Sequence, residues 1–257
     1  MKRSFTLVGV LFVFGLLLTT ACKKQTDIYP SDPVSAYMNL HPGKYIRYRL
    51  DSTVYVFFGQ RDSVISYQAK DVVDTLVKDG MGRPSWRVIR YLRDTASTNE
   101  ADWRPVTTYL VTPTYQSMEV YEDYFRQVKL KIPIIEGSSW QGNSFLAQSP
   151  YYPEYDFGND QDIQSWEYTY QDVGNSQTIN NKTYDSTISV LQVDESSNIP
   201  ITSPDVVASR TYWIEKYAKN IGLIYKEVIM WEFQPANGPN PGYYVGFGIK
   251  MTILDHN

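Results

Sequence analysis

The stretch Tyr243–Leu254, YYVGFGIKMTIL, alternates with a period of two. Tyr243, Val245, Phe247, Ile249, Met251 and Ile253 fall on one face, and Gly246, Gly248, Lys250 and Thr252 on the other. Successive side chains of a strand point to opposite sides, so this pattern predicts a strand with one buried face. Two glycines on the second face predict a bend there, or a close approach by another part of the chain.

The same reading extends toward the N-terminus. Trp166, Tyr168 and Tyr170 oppose Glu167, Thr169 and Gln171. Runs rich in Tyr, Val, Ile, Thr and Trp recur from Lys44 onward, separated by turn residues: Asp79-Gly80 with Gly82, Asn180-Asn181, Asn220 with Gly222, and QPANGPNPG at 234–242. Strands joined by short turns pair antiparallel. SWRVIRYLRD, 85–94, has apolar residues three and four apart, but Pro84 and the neighbouring strands favour a strand. No apolar stripe of helical period runs beyond about two turns. The expected fold is all-β and mainly antiparallel, with meanders and hairpins forming a sheet sandwich or an open barrel and little helix. PIIEG, 133–137, lies near the midpoint. One continuous β structure and two small β domains divided near 133–140 both fit the pattern.

The N-terminus has a different character. Lys2 and Arg3 precede an apolar run from Phe5 to Leu18, then Thr19, Thr20 and Ala21 lead to Cys22, the only cysteine. Basic, apolar and small segments in that order make a secretory signal. The run is shorter than the roughly 20 residues a membrane-spanning helix needs. A lone cysteine in an exported chain has no internal disulfide partner. Residues 18–22, LTTAC, resemble the lipobox of bacterial lipoproteins, with Thr19 where leucine is usual. The resemblance implies cleavage between Ala21 and Cys22 and attachment of lipid, palmitate included, to Cys22. GKYIRYRLDSTVY, 43–55, and YAKNIGLIYKEV, 217–228, resemble uncharacterised lipoproteins of the Bacteroidota. That likeness implies a β-rich body and a cell-envelope location without implying catalytic residues. Lys23 is not the aspartate that keeps some lipoproteins in the inner membrane, so the likeness implies the outer membrane, facing either periplasm or exterior. The expected organisation is a signal peptide at 1–21, a proline-bearing tether and lead-in at 22–43, and a β-rich body at 44–257.

The chain carries 24 basic and 28 acidic residues. Removing 1–21 takes away Lys2 and Arg3, leaving 22 basic and 28 acidic residues and a net charge of −6. Nucleic-acid binding calls for a basic surface, so nucleic acid is not an expected partner. Charge is uneven along the chain: residues 44–104 hold 11 basic and 8 acidic side chains, residues 136–215 hold 2 and 12. This reads as two solvated surfaces of opposite sign, or as an acidic face for cations or basic ligands.

Catalytic chemistry is poorly supplied. The only histidines are His41, in the lead-in, and His256, the penultimate residue. Neither is well placed in sequence for a Ser-His-Asp triad. There is no HExxH, no Cys/His cluster and no phosphate-cradling loop, and DFG at 156–158 stands alone. No catalytic residues and no cofactor are expected.

One loop attracts a ligand reading: LAQSPYYPEYDFGNDQDI, 146–163. It sets Glu154, Asp156, Asp160 and Asp162 beside Tyr151, Tyr152 and Tyr155. Clustered oxygens suit calcium, although the spacing is not that of an EF-hand. Exposed tyrosines with carboxylates also suit sugar rings. Five Asp-Ser/Thr pairs followed by a small aliphatic residue or Thr resemble the O-glycosylation acceptor motif of exported Bacteroidota proteins. The implied acceptors are Ser52, Ser63, Thr75, Thr95 and Ser186.

These features point to a lipid-anchored outer-membrane protein whose body is a non-enzymatic binding or assembly module, with an envelope protein or glycan as partner. A carbohydrate-binding accessory protein is the alternative, and a carboxylate-dependent hydrolase the third reading.

Overall fold

The computed structural model describes residues 31–257, so Cys22, Ala21 and the signal segment lie outside the described residues. Ser31–Asn257 forms one compact unit. It contains twelve strands: β1 (Tyr45–Val56), β2 (Arg61–Lys78), β3 (Pro84–Asp94), β4 (Arg104–Pro113), β5 (Ser117–Glu122), β6 (Phe125–Lys131), β7 (Ser139–Gln141), β8 (Glu167–Ile179), β9 (Lys182–Ser197), β10 (Ala208–Ala218), β11 (Gly222–Gln234) and β12 (Tyr243–His256). The all-β expectation holds, and Ser85–Asp94 is a strand.

All twelve belong to a single antiparallel sheet, in the order β6-β5-β4-β3-β2-β1-β12-β11-β10-β9-β8-β7. Two six-stranded meanders therefore join through β1 and β12, while β6 and β7 are the two ends of the sheet. Those ends are neighbours in sequence, and the sheet rolls until they meet. Val128 N–H donates to the Gly142 carbonyl at 2.8 Å, and the Trp140 indole N–H donates to the Val128 carbonyl at 2.8 Å. Tyr170 Oη accepts from Lys131 N–H and donates to the Lys131 carbonyl, both at 2.9 Å. Gln127 Nε2 donates to Asn143 Oδ1 at 2.8 Å, and Tyr168 Oη donates to the same oxygen at 2.7 Å. PIIEG at 133–137 is the connection that spans this seam. The described strands form one continuous sheet across 133–140.

Strand β12 shows why the alternation decides the fold. Met251 and Ile253 are buried, while Val245, Phe247 and Ile249 pack against the main core. Gly246 has φ +131°, and a Cβ there would collide with the Met230 carbonyl of β11. The close approach expected at the glycines is thus real at Gly246, where a side chain has neither the space nor the backbone conformation. Tyr243, at the start of the strand, lies beyond the core and is exposed.

Both ends of the rolled sheet are covered. At one end the N-terminal segment forms a strap. Its 3-10 turn, Val34–Tyr37, buries Val34 and Tyr37. Asn220 N–H donates to the Ala36 carbonyl at 2.7 Å, Lys219 Nζ pairs with Asp32 at 2.7 Å, and Ile134 N–H donates to Ser31 Oγ at 2.7 Å. The portion of the lead-in from Ser31 onward is therefore docked into the body. Prolines disfavour regular structure, yet two buried apolar side chains and these bonds fix the segment.

At the opposite end, residues 142–166 fold inward as a plug. Tyr151 meets Phe125 edge-on at 5.2 Å and Phe247 at 5.3 Å. Tyr155 stacks on Phe157 at 5.6 Å, and Trp166 meets Trp213 edge-on at 5.3 Å. Each such pair contributes about 0.5–1.5 kcal/mol beyond the area it buries.

The seam makes Tyr170 a test of closure. Tyr170→Phe removes, from a fully buried ring, the hydroxyl that serves both Lys131 backbone groups. We expect a stability loss of about 1–3 kcal/mol in urea unfolding, with amide exchange at Lys131 accelerating more than in β1. A neutral effect on both readouts would contradict the seam.

Candidate functional site

The strap roofs a cavity inside the rolled sheet, with a volume of about 130 Å³. Its walls are apolar: Val73 from β2, Val88 from β3, Val111 from β4, Val120 from β5, Leu223 from β11 and Met251 from β12. Tyr37, Met38 and Leu40 close it from the strap side. Inward-facing positions of six strands build these walls, because each strand presents every second residue to the interior.

Charged side chains also line this cavity, and they form two connected groups. In the first, Arg90 lies at the centre. Its Nε and Nη2 donate to the two oxygens of Asp71 at 2.7 and 2.8 Å. Its Nη1 donates to Glu122 at 2.6 Å. Tyr109 Oη donates to Asp71 at 3.0 Å, and the Tyr109 ring lies 5.3 Å from the guanidinium. Burial opposes the charge on Arg90, but Asp71 and Glu122 outweigh it and raise its pKa well above the ordinary value.

In the second group, Glu215 is the centre. Lys129 Nζ lies 2.9 Å from Oε1, Tyr217 Oη donates to Oε2 at 2.7 Å, and Lys226 Nζ lies 3.8 Å from Oε1. Burial alone would raise the Glu215 pKa; the charges of Lys129 and Lys226, with the bonds from Lys129 and Tyr217, hold it down to about 2. Burial pulls Lys129 below its ordinary value, and Glu215 offsets part of that. With the two charges 2.9 Å apart, both groups are ionised at neutral pH.

Three acids (Asp71, Glu122, Glu215) thus face three bases (Arg90, Lys129, Lys226) within these two groups, and a fourth base, the buried Lys44, also lines the cavity with its Nζ on the Asn257 carbonyl oxygen. The site can hold an apolar group against paired polar neighbours, whereas an extra ion would have to displace one of these pairings. Neither His41 nor His256 lines the cavity. Sequence reasoning overlooked all six charged residues. Their signal is present nonetheless: a charge stands at an inward position between apolar neighbours, as in Ala69-x-Asp71-x-Val73 and Trp213-x-Glu215-x-Tyr217.

The residues singled out in the 146–163 loop do not converge. Tyr151 and Tyr155 pack into the core as part of the plug. Asp160 is fully buried and accepts from Tyr151 N–H at 3.0 Å, and burial raises its pKa. Tyr152, Glu154, Asp156 and Asp162 are exposed. Among the described residues no group of three or more His, Cys, Asp or Glu side chains is arranged to hold a metal ion. The loop's carboxylates are spread between a buried anchor and solvent, because Tyr151 and Tyr155 are drawn inward by packing while Tyr152 stays in solvent. Of the Asp-Ser/Thr positions, Ser63, Thr75 and Thr95 are exposed, while Ser52 and Ser186 are half-buried.

No family model matches the chain, and no curated protein matches it. Among solved structures it is similar to LprF from Mycobacterium bovis, at 10% identity over 82% of this chain and 85% of that one, with a TM-score of 0.22. It is also similar to a putative outer membrane lipoprotein-sorting protein domain from Vibrio parahaemolyticus, at 11% identity over 84% and 85%, with a TM-score of 0.19. Similarity at that level assigns neither fold nor function.

The second charge group has a measurable signature. A carboxyl held at about 2 when folded, against about 4.3 when unfolded, adds stability that is complete above the unfolded value. That stability, on the order of 3 kcal/mol, is lost as pH falls through the window from about 4.5 to about 2. Glu215→Gln leaves Lys129 buried and uncompensated and is expected to cost about 3–5 kcal/mol at pH 7. Replacing both residues with Met should recover most of that loss. The double-mutant cycle in chemical denaturation checks this, and additive losses would contradict the coupling.

Proposed function

We propose that the protein is lipid-anchored in the cell envelope at the outer membrane through Cys22, and that its barrel is a non-enzymatic module binding a small neutral, mainly apolar group. The observation that carries the binding reading is the apolar cavity under the strap, with paired charges at its polar side. A cavity of about 150 Å³ with apolar walls accepts one aromatic ring, and 130 Å³ is close to that size. The ligand is therefore a compact ring or a short branch or chain end of a larger molecule. The anchoring reading rests on the order of basic, apolar and small segments before the lone cysteine. Two or three acyl chains on that residue give durable attachment, where one is marginal.

Both parts are testable on the full chain. Cys22→Ala should move the protein from the membrane to the soluble fraction and remove the acyl mass; a wild-type mass without acyl groups would contradict anchoring. Indole or hexanol should raise the melting temperature in proportion to occupancy, and hexanoate should do so far less. Val111→Phe, which fills the cavity, should abolish the response to both neutral probes. An equal response from Val111→Phe would place the ligand elsewhere.

A further inference from the structure

The opposite face of the same strands carries a second, larger concavity of about 750 Å³. Its floor is built in cross-strand rows on the outside of β10, β11, β12 and β1. One row is Lys216, Tyr225, Thr252 and Arg49; the next is Ile214, Glu227, Lys250 and Asp51. Tyr212, two residues before Ile214 on β10, extends the lining along the same outer face.

Its side wall is the tip of the β8–β9 hairpin, Gln177–Asn180. That hairpin leaves the line of the sheet because both of its strands are irregular. The register shifts between Gln171 and Asn175 and again before Gln177. Asp172, Gly174 and Ser186 have positive φ of 53°, 80° and 53°. Bulges bend a strand pair and sharpen its twist. Tyr184 and Ile179 then pack with Ala218 of β10 and hold the tip over the outer face.

The charges in this groove differ from those inside. Glu227 accepts from Tyr225 Oη at 2.7 Å. Asp51 accepts from Arg49 Nε at 3.0 Å and from Ser66 Oγ at 2.5 Å. Lys216 and Lys250 have no carboxylate partner among the described residues. Each lies 5.7 Å from the centre of the same Tyr225 ring. Two cations without a salt bridge therefore lie beside one aromatic ring, with acceptors and amides close by at Glu227, Asp51 and Gln177.

We infer that this outer groove is a binding site for an acidic oligosaccharide. A sugar ring offers an apolar face to Tyr225 or Tyr212, and its carboxylate pairs with Lys216 or Lys250. Its hydroxyls donate to Glu227 and Asp51. Those two carboxylates, in a chain of net charge −4, disfavour the repeated phosphates of a nucleic acid. The volume falls within the roughly 300–1,000 Å³ of small-molecule sites. The groove is on the face away from the interior cavity, so the inference does not rest on occupancy of that cavity.

The test is calorimetric titration of the full chain in detergent with a linear uronic-acid tetrasaccharide. A neutral tetrasaccharide of the same linkage and a single-stranded oligonucleotide are titrated in parallel. Saturable binding of the uronide alone, weakened by added salt, is expected. Lys216→Met with Lys250→Met should weaken it by about tenfold or more, with an unchanged melting temperature because Lys250 is exposed, Lys216 is half-buried and neither forms a salt bridge. Tyr225→Leu should weaken binding while keeping its salt dependence, and Val111→Phe should leave it unchanged. Absence of uronide binding by the folded protein would overturn the inference. So would undiminished binding by the lysine double variant, or equal binding of the neutral sugar or the oligonucleotide.

Discussion

The structure depends on closing a twelve-stranded sheet whose two end strands are consecutive in the chain. An open sheet this wide would expose two rows of unpaired backbone groups and half of its apolar side chains. Rolling removes both problems, but β6 and β7 are too short to form a full ladder with each other. The seam is instead made by side chains acting as backbone surrogates. Tyr170 serves one residue twice, Trp140 reaches the Val128 carbonyl, and Asn143 collects Gln127 and Tyr168. Gly142 lies at the tightest point, where a Cβ would collide with the Tyr168 ring. The short crossing at 132–138 and the docked strap follow from this geometry, since Ile134 belongs to the crossing and Ser31 to the strap.

Closure also explains why ionised groups are found indoors. A rolled sheet this large has more interior than aliphatic side chains from short strands readily fill. Here the space is divided by level. The plug from 142–166 fills one end with aromatic rings, the strap seals the other, and the six charges lie along the wall between. Each charge is tied to a neighbour on a different strand: Asp71 of β2 to Arg90 of β3, Glu122 of β5 to Arg90, Lys129 of β6 to Glu215 of β10. Lys129 and Glu215 connect the two meanders across the interior. Such pairs contribute less to net stability than an apolar core of equal volume would, and they fix which strands face each other. The cavity is the residual space where this layer meets the strap.

Much of the fold was legible in the sequence, and the reason is local. Period two is set by the strand itself, so Val245, Phe247, Ile249, Met251 and Ile253 declared their face without knowledge of any partner. Turn residues such as Asn180-Asn181 and Asn220 declared themselves through their tolerance of positive φ, observed at 50°, 60° and 63°. The seam was not legible, because Tyr170 meets Lys131 only after the sheet has rolled. The docking of the lead-in was not legible for a related reason. Prolines at 30, 33 and 42 are a local signal of irregular chain, whereas the burial of Val34 and Tyr37 is decided by β strands far away in sequence. The 146–163 loop shows the same limit. Its composition suggested a surface site, but Phe125, Trp213 and Phe247, none of them in the loop, turned Tyr151 inward.

The inner and outer faces of β10–β12 show how one alternating pattern generates two environments. In Glu215-Lys216 and Lys226-Glu227, adjacent residues of opposite charge point to opposite sides of the sheet. The inward members, Glu215 and Lys226, enter the low-dielectric interior, where an isolated charge is costly, and they are neutralised there. The outward members face water, where Lys216 can remain unpaired at little cost. Exchanging inward for outward by a one-residue slip would place Lys216 beside Lys129 and leave Glu215 in solvent. Register is thus held by electrostatics as well as by the apolar face. The same constraint that neutralises the interior leaves positive charge unspent on the exterior, beside the Tyr225 ring.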